Sequence, residues 1–167
     1  MPTRLAVICV IKNKEGKILL INQIHTSSKS KEGLWLYPGG RLEQGETYVD
    51  GAIREVKEET NLIINPISLL GMKNWVMSEK EDEGIQTYFH GVDVILGCDF
   101  VEGDSKLNID EGINKIKFFT LKEIHGLENL QGDVIKFAES MITGKSIPLI
   151  KNLHKQGWAE RYTFYRH

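Results

Sequence analysis

The sequence predicts an α/β chain, on three observations. Two strand-like runs open it, a glycine-rich loop feeds one amphipathic helix, and further strands lead to a late second helix. At 167 residues it reads as one domain, 1–167, long enough to bury a core. A net charge of −2 gives no electrostatic case for nucleic acid. No apolar stretch reaches the ~18 residues of a membrane helix, and no secretory leader follows Met1. Cys9 and Cys98 lie in apolar runs and read as buried thiols of a reducing, cytoplasmic compartment.

Leu5 to Ile11 is apolar on both alternating faces, as in a central strand. Asn13 to Lys17 is a turn built on Gly16. Ile18 to Ile24 is a second strand, so residues 5–24 read as a hairpin. Ser27 to Glu32 is a polar loop. Trp35-Leu36-Tyr37-Pro38 then runs into Gly39-Gly40. Pro38 imposes an extended approach, and the two glycines let backbone come close to a ligand.

The helix that follows starts with Thr47 as N-cap, and Asp50 makes a variant capping box with it. Val49, Ala52, Ile53 and Val56 form an apolar stripe expected to face the core. At ~100° per residue, Glu55, Glu58 and Glu59 share one arc beside that stripe. Arg54 flanks Glu58, and Lys57 points to the other side. Like charges at these spacings repel by roughly 0.2–0.5 kcal/mol per pair on an open helix, and by more when partly buried. A solvated acidic face is the ordinary explanation of such a run. The functional one is a hard divalent cation, Mg²⁺ or Mn²⁺, among the carboxylates.

Ile63 to Trp75 reads as one or two strands, Ser78 to Gly84 as a charged turn, and Ile85 to Leu96 as another strand. Gly97 to Ile109 is a polar loop. Asp110-Glu111-Gly112 precedes the strand Ile116 to Phe119, and Thr120 begins a short helix. Gln131-Gly132-Asp133 leads into an amphipathic helix with Val134, Phe137, Ala138 and Met141 as its stripe and Gly144 as its end. Trp158 to Tyr165 reads as a final strand on the core, in preference to a basic aromatic tail for nucleic acid.

Taken together, the loop and helix read Gly40, five residues, Glu46, seven residues, Arg54-Glu55-Val56, one residue, Glu58-Glu59, one residue, Asn61-Leu62. This resembles the Nudix box of the Nudix (MutT-like) hydrolases, G-x5-E-x7-R-E-U-x-E-E-x-G-U with U apolar, placed here at 40–62. Asn61 stands where the pattern has Gly. That position follows a helix end, where a left-handed residue is favoured and Asn is second choice. The resemblance implies the Nudix fold, an α/β/α sandwich with a mixed β-sheet. It also implies Mg²⁺- or Mn²⁺-dependent hydrolysis of a nucleoside diphosphate linked to a group X, a nucleotide small molecule being the partner. Members are often dimers, so a homodimer is the assembly it suggests.

Site residues follow from the box. Glu55, Glu58 and Glu59 would be metal ligands, joined by a carbonyl at Gly39. Gly40 and Arg41 would lie on the substrate-binding loop. Arg54 would fix the carboxylates through a bidentate pair, and Glu46 would hold the loop over the helix. One of the box glutamates, or Glu111 with Asp110 second to it, would take the proton from water; an ordinary turn acid is the competing account of Glu111. No activated Cys or Ser accompanies these acids, which points to water attacking phosphorus with metal-stabilised charge.

Substrate marks lie outside the box. The ADP-ribose type has a proline where this chain has Met77, and the diadenosine type a tyrosine where it has Glu79 and Lys80. The proline-rich NADH mark is missing. Nucleoside triphosphates, cut to monophosphate and pyrophosphate, are the default that remains. Gly132-Asp133 and its helix resemble the C-terminal part of the oxidised-purine triphosphatases, in which Asp133 would read the purine edge; a plain N-cap is the competing account. Trp75 and Tyr88 are candidates for stacking on a base or for core packing. The alternatives are a nucleotide-sugar or dinucleotide pyrophosphatase and a catalytically silent nucleotide-binding regulator.

Overall fold

The structure, a computed structural model, describes residues 3–24, 33–80, 86–145 and 163–165. Strand β1 (Thr3–Lys12) runs through the middle of the sheet, as its two-sided apolar pattern requires. It pairs in parallel with β6 (Gln86–Glu102), from Thr3 opposite His90 to Lys12 opposite Asp99. The strand order is β3-β2-β1-β6-β5-β8, with β4 against β1 and β7 against β2. The remaining members are β2 (Ile18–Gln23), β3 (Leu34–Leu36), β4 (Gly39–Arg41), β5 (Ile63–Lys80), β7 (Ile113–Phe119) and β8 (Thr163–Tyr165). All named pairs other than β1–β6 are antiparallel, so the sheet is mixed.

Alternation along the strands supplies two cores. Val7, Cys9, Ile11, Leu19, Val94, Leu96 and Cys98 pack with Ala52 and Val56 of helix α1 (Tyr48–Thr60). Val10, Ile18, Leu20, Ile95 and Phe119 pack with α2 (Leu121–His125) and α3 (Val134–Thr143) on the other face. The result is the expected α/β/α sandwich. Both cysteines are buried free thiols. No described helix is long and apolar enough to cross a membrane.

Several expectations are corrected. The hairpin at 5–24 exists only at its tip, where Lys12 meets Ile18. Beyond it, β4 takes the edge of β1 (Ile8 opposite Gly39, Val7 opposite Gly40) and β3 takes that of β2. The glycine loop enters between the two strands, at a place where a Cβ on Gly39 would collide with the Val7 carbonyl. Strand β5 is one strand that continues to Lys80, so Ser78 to Lys80 are strand rather than turn, and residues 81–85 lie outside the described residues. Gly97 to Glu102 continue β6 instead of forming a loop. Gly97 to Asp99 pair with β1 on one side, and the run pairs with Ile63 to Ser68 on the other, which outweighs the polar side chains of Asp99 and Glu102.

The stripe on α1 is also turned. Val49 and Ile53 are 48% and 42% exposed, while Gly51, Ala52, Val56, Glu59 and Thr60 are buried. The loop before the helix crosses it at Gly51, where a Cβ would strike Leu42, and this draws the acidic side inward. Thr47 caps as expected, accepting from the Asp50 amide at 3.2 Å. Asp50 returns its carboxylate to the Thr47 hydroxyl, at 2.7 Å, rather than to the backbone of a full capping box. Asn61 adopts the left-handed conformation, φ 62°. Of the proposed last strand, Thr163–Tyr165 pairs with β5 at Met72 to Asn74. The rest of it, and the loop at 27–32, lie outside the described residues.

Candidate active site

Three carboxylates of α1 lie at graded depth, two of them against the glycine loop. Glu59 is buried, 5% exposed, and accepts the Gly39 amide at 2.8 Å. Glu55 is mostly buried beneath Gly40, where any Cβ would run into its carboxylate. Glu58 is half exposed. The loop is therefore stripped of side chains where it lies over the acids. The contact shown for Gly39 is through its amide, and its backbone is at φ +144°, a conformation that favours glycine.

Arg54 organises the rest. Its Nε and Nη2 donate to the two oxygens of Glu46 at 2.6 and 2.9 Å. Nη1 donates to Glu55 at 2.9 Å and to Glu58 at 3.0 Å, and Nη2 also reaches the Arg41 carbonyl at 2.9 Å. The bidentate pair thus goes to Glu46, with single bonds to two of the box acids. That corrects the expectation that the fork would grip those acids. Glu46 does hold the loop, since it also accepts the Glu43 amide at 2.8 Å. Arg54 first, and that amide second, lower its carboxyl from the ordinary 4.5 to about 2.

Among the described residues no three Asp, Glu, His or Cys side chains converge on one point as they stand. The counter-charge for Glu55 and Glu58 is Arg54. The donor set nonetheless fits a hard divalent cation: three carboxylates within two turns of one helix, with Gly40 leaving room for the Glu55 carboxylate against the backbone.

The C-terminal end of α1 is fastened to the segment that follows β6. Asn108 Nδ2 donates to the Glu58 carbonyl at 3.2 Å, Lys106 N to the Thr60 carbonyl at 2.9 Å, and Asn61 Nδ2 to the Asp104 carbonyl at 3.1 Å. A 3-10 turn, Ile109–Glu111, comes next, and Gly112 closes it at φ 75° and accepts the Ile24 amide at 2.9 Å. Asp104, Lys106 and Asn108 are thereby tied to the acidic helix, and Asp110 and Glu111 follow them in the 3-10 turn. The Glu111 side chain lies outside the described residues.

Asp133 occupies the N-cap position of α3 but makes no capping bond, which removes the plain N-cap account. Its Oδ2 lies 3.2 Å from the ammonium of Lys73, itself only 3% exposed. Asp93 Oδ2 is 3.9 Å from the same nitrogen, and Trp75 Nε1 donates to Asp93 Oδ1 at 3.0 Å. Burial pushes the Asp93 carboxyl up, against the pull of Trp75 and Lys73. The Trp75 ring fills the space a Cβ at Gly91 would need, so it is committed to packing. Tyr88 is 44% exposed. Sequence reasoning missed Lys73 and Asp93. The available signal was a charge inside each of two strand-like runs, Leu70-Gly71-Met72-Lys73 and Val92-Asp93-Val94.

A mixed sheet thus lies between helical layers, with this loop and acidic helix at its centre. The NUDIX domain profile matches residues 2–140. Over 126 residues the chain is 32% identical to an ADP-ribose pyrophosphatase of Methanocaldococcus jannaschii, covering 75% of this chain and 68% of that protein. It is 37% identical over 67 residues, 40% of its length, to the 8-oxo-dGDP phosphatase NUDT18 of Mus musculus, of which it spans only 20%. The MutT protein of Methanosarcina mazei Go1 shares the fold with a TM-score of 0.62 at 24% identity, over 86% of this chain and 95% of that one. The chain belongs to the Nudix family. Members of that family generally use a divalent metal such as Mg²⁺.

Proposed function

We propose that the protein is a Mg²⁺-dependent pyrophosphohydrolase of nucleoside diphosphate–X compounds, with nucleoside triphosphates as its main substrates and monophosphate and pyrophosphate as products. One observation supports this reading: α1 holds Glu55 and Glu59 against the side-chain-free turn at Gly39 and Gly40, with Glu58 joined to Glu55 through Arg54. These carboxylates would hold the metal, which supplies Lewis-acid stabilisation of phosphate charge and a more acidic water. Gly40 and Arg41 offer backbone to the phosphates. Arg54 and Glu46 hold that backbone at a fixed height. The proton of the attacking water passes to Glu111 or to a box glutamate.

Asp133 supports a purine-reading role. Lys73 orients its carboxylate and no helix amide competes for it. The 8-oxo-dGDP phosphatase relative agrees with an oxidised guanine nucleotide as ligand. A second reading, hydrolysis of ADP-ribose or a nucleotide sugar, is favoured by the archaeal relative. The test is kcat/KM with Mg²⁺ on dGTP, 8-oxo-dGTP, ADP-ribose, UDP-glucose and a dinucleoside tetraphosphate. The triphosphates are expected to lead; ADP-ribose or UDP-glucose cut tenfold faster than either would overturn the assignment.

A further inference from the structure

The turn over the acids has little freedom in height. A side chain at Gly40 would meet the Glu55 carboxylate, and one at Gly39 would meet the Val7 carbonyl. Two bonds that fix this height come from backbone donors: the Cys9 amide to the Pro38 carbonyl at 2.9 Å, and the Gly39 amide to Glu59 at 2.8 Å. A third comes from a side chain. Tyr37, 4% exposed, donates its phenol proton to the Val134 carbonyl at 2.6 Å, across 97 residues of sequence.

That hydroxyl has no packing purpose. A phenylalanine ring would fill the same place in the cluster of Val10, Leu20, Phe137 and Ala138. Burying a hydroxyl is costly unless it is bonded. Val134 is the first residue of α3, and the Ala138 amide, which a helix directs at that carbonyl, also faces the phenol oxygen. The helix thus has its own partner for the carbonyl, and the bond serves the loop. Its far end is firm, because the Lys73–Asp133 ion pair pins the start of α3 to β5.

We propose that Tyr37 is a positioning residue for the metal-binding acids: it ties the Gly39-Gly40 turn to the first turn of α3 and so sets its distance from Glu55 and Glu59. This rests on those acids being the metal site. The test is Tyr37→Phe in the full chain, read first by calorimetric titration with Mg²⁺ or Mn²⁺ without nucleotide, then by thermal unfolding and steady-state kinetics. Tm should fall by no more than about 2–4 °C. Metal affinity should drop about fivefold and kcat about tenfold, since small misplacements in such sites are expensive. KM for the nucleotide should stay within about twofold. Metal affinity and kcat both within twofold of the parent would overturn the inference. So would a large loss of Tm in which the surviving folded protein keeps the parental metal affinity. A parent that takes up no metal overturns the site assignment instead, and is seen before the variant is read.

Discussion

Arg54 spends one side chain on five hydrogen bonds, to Glu46, Glu55, Glu58 and the Arg41 carbonyl. A lysine cannot reproduce that fork, so Arg54→Lys is expected to loosen the loop and lower metal affinity, measurable by calorimetry. The pair with Glu46 carries a pH signature. Its carboxyl is lower in the folded state, about 2 against the ordinary 4.5, so its stabilisation is present above pH 4.5 and lost as pH falls toward 2. Urea unfolding of the parent and Glu46→Gln should therefore differ at pH 6 and converge near pH 2. At the acids, Glu58→Gln and Glu59→Gln are expected to cut kcat by about a hundredfold or more with the fold intact, checked by circular dichroism beside turnover. The box spacing made these residues readable from sequence, because residues eight apart on a helix and loop are local neighbours. Lys73 and Asp93 were not readable as a pair. They meet only through the register of β5 on β6, and Asp133 joins Lys73 from far along the chain by the docking of α3.

Helix α1 shows what periodicity can and cannot settle. It located the helix and its caps, yet four apolar positions suggested a buried face that the crossing at Gly51 and the burial of Glu59 displace. Val49 and Ile53 consequently face outward. The helix end follows the expected rule for Asn61, which holds φ 62° and also donates to the Asp104 carbonyl. Asn61→Gly should relieve left-handed strain and forfeit that bond, a net change within about 1 kcal/mol. Asn61→Val should cost more than that, and denaturant unfolding separates the two. Polarity misled the reading of residues 97–102. Main-chain pairing with β5 and, at Gly97 to Asp99, with β1 decides their strand state, and those partners lie far off in sequence, Ser68 opposite Gly97 and Ile63 opposite Glu102 among them.

At the level of the whole molecule, the two cores on either face of the sheet hold the fold, and a divalent ion held by the proposed metal-binding acids would offset their mutual repulsion. Mg²⁺ at about 100 times its dissociation constant should add about 2.7 kcal/mol to stability. Differential scanning calorimetry with and without Mg²⁺ should show the rise in Tm, and Glu59→Gln should abolish it. Fold class was legible because strands, acidic helix and late helix come in a diagnostic order. Strand neighbours were not, because β2, β3, β4, α1 and β5 all intervene between β1 and its parallel partner β6. That pairing carries a consequence for biosynthesis. A ribosome delivers Leu5 to Ile11 long before His90 to Asp99, so the nascent chain holds a two-sided apolar ribbon whose central neighbour has not been made. An N-terminal fragment of residues 1–85 should accordingly precipitate or bind a chaperone, whereas a chain released after residue 102 should begin to protect β1 from hydrogen exchange.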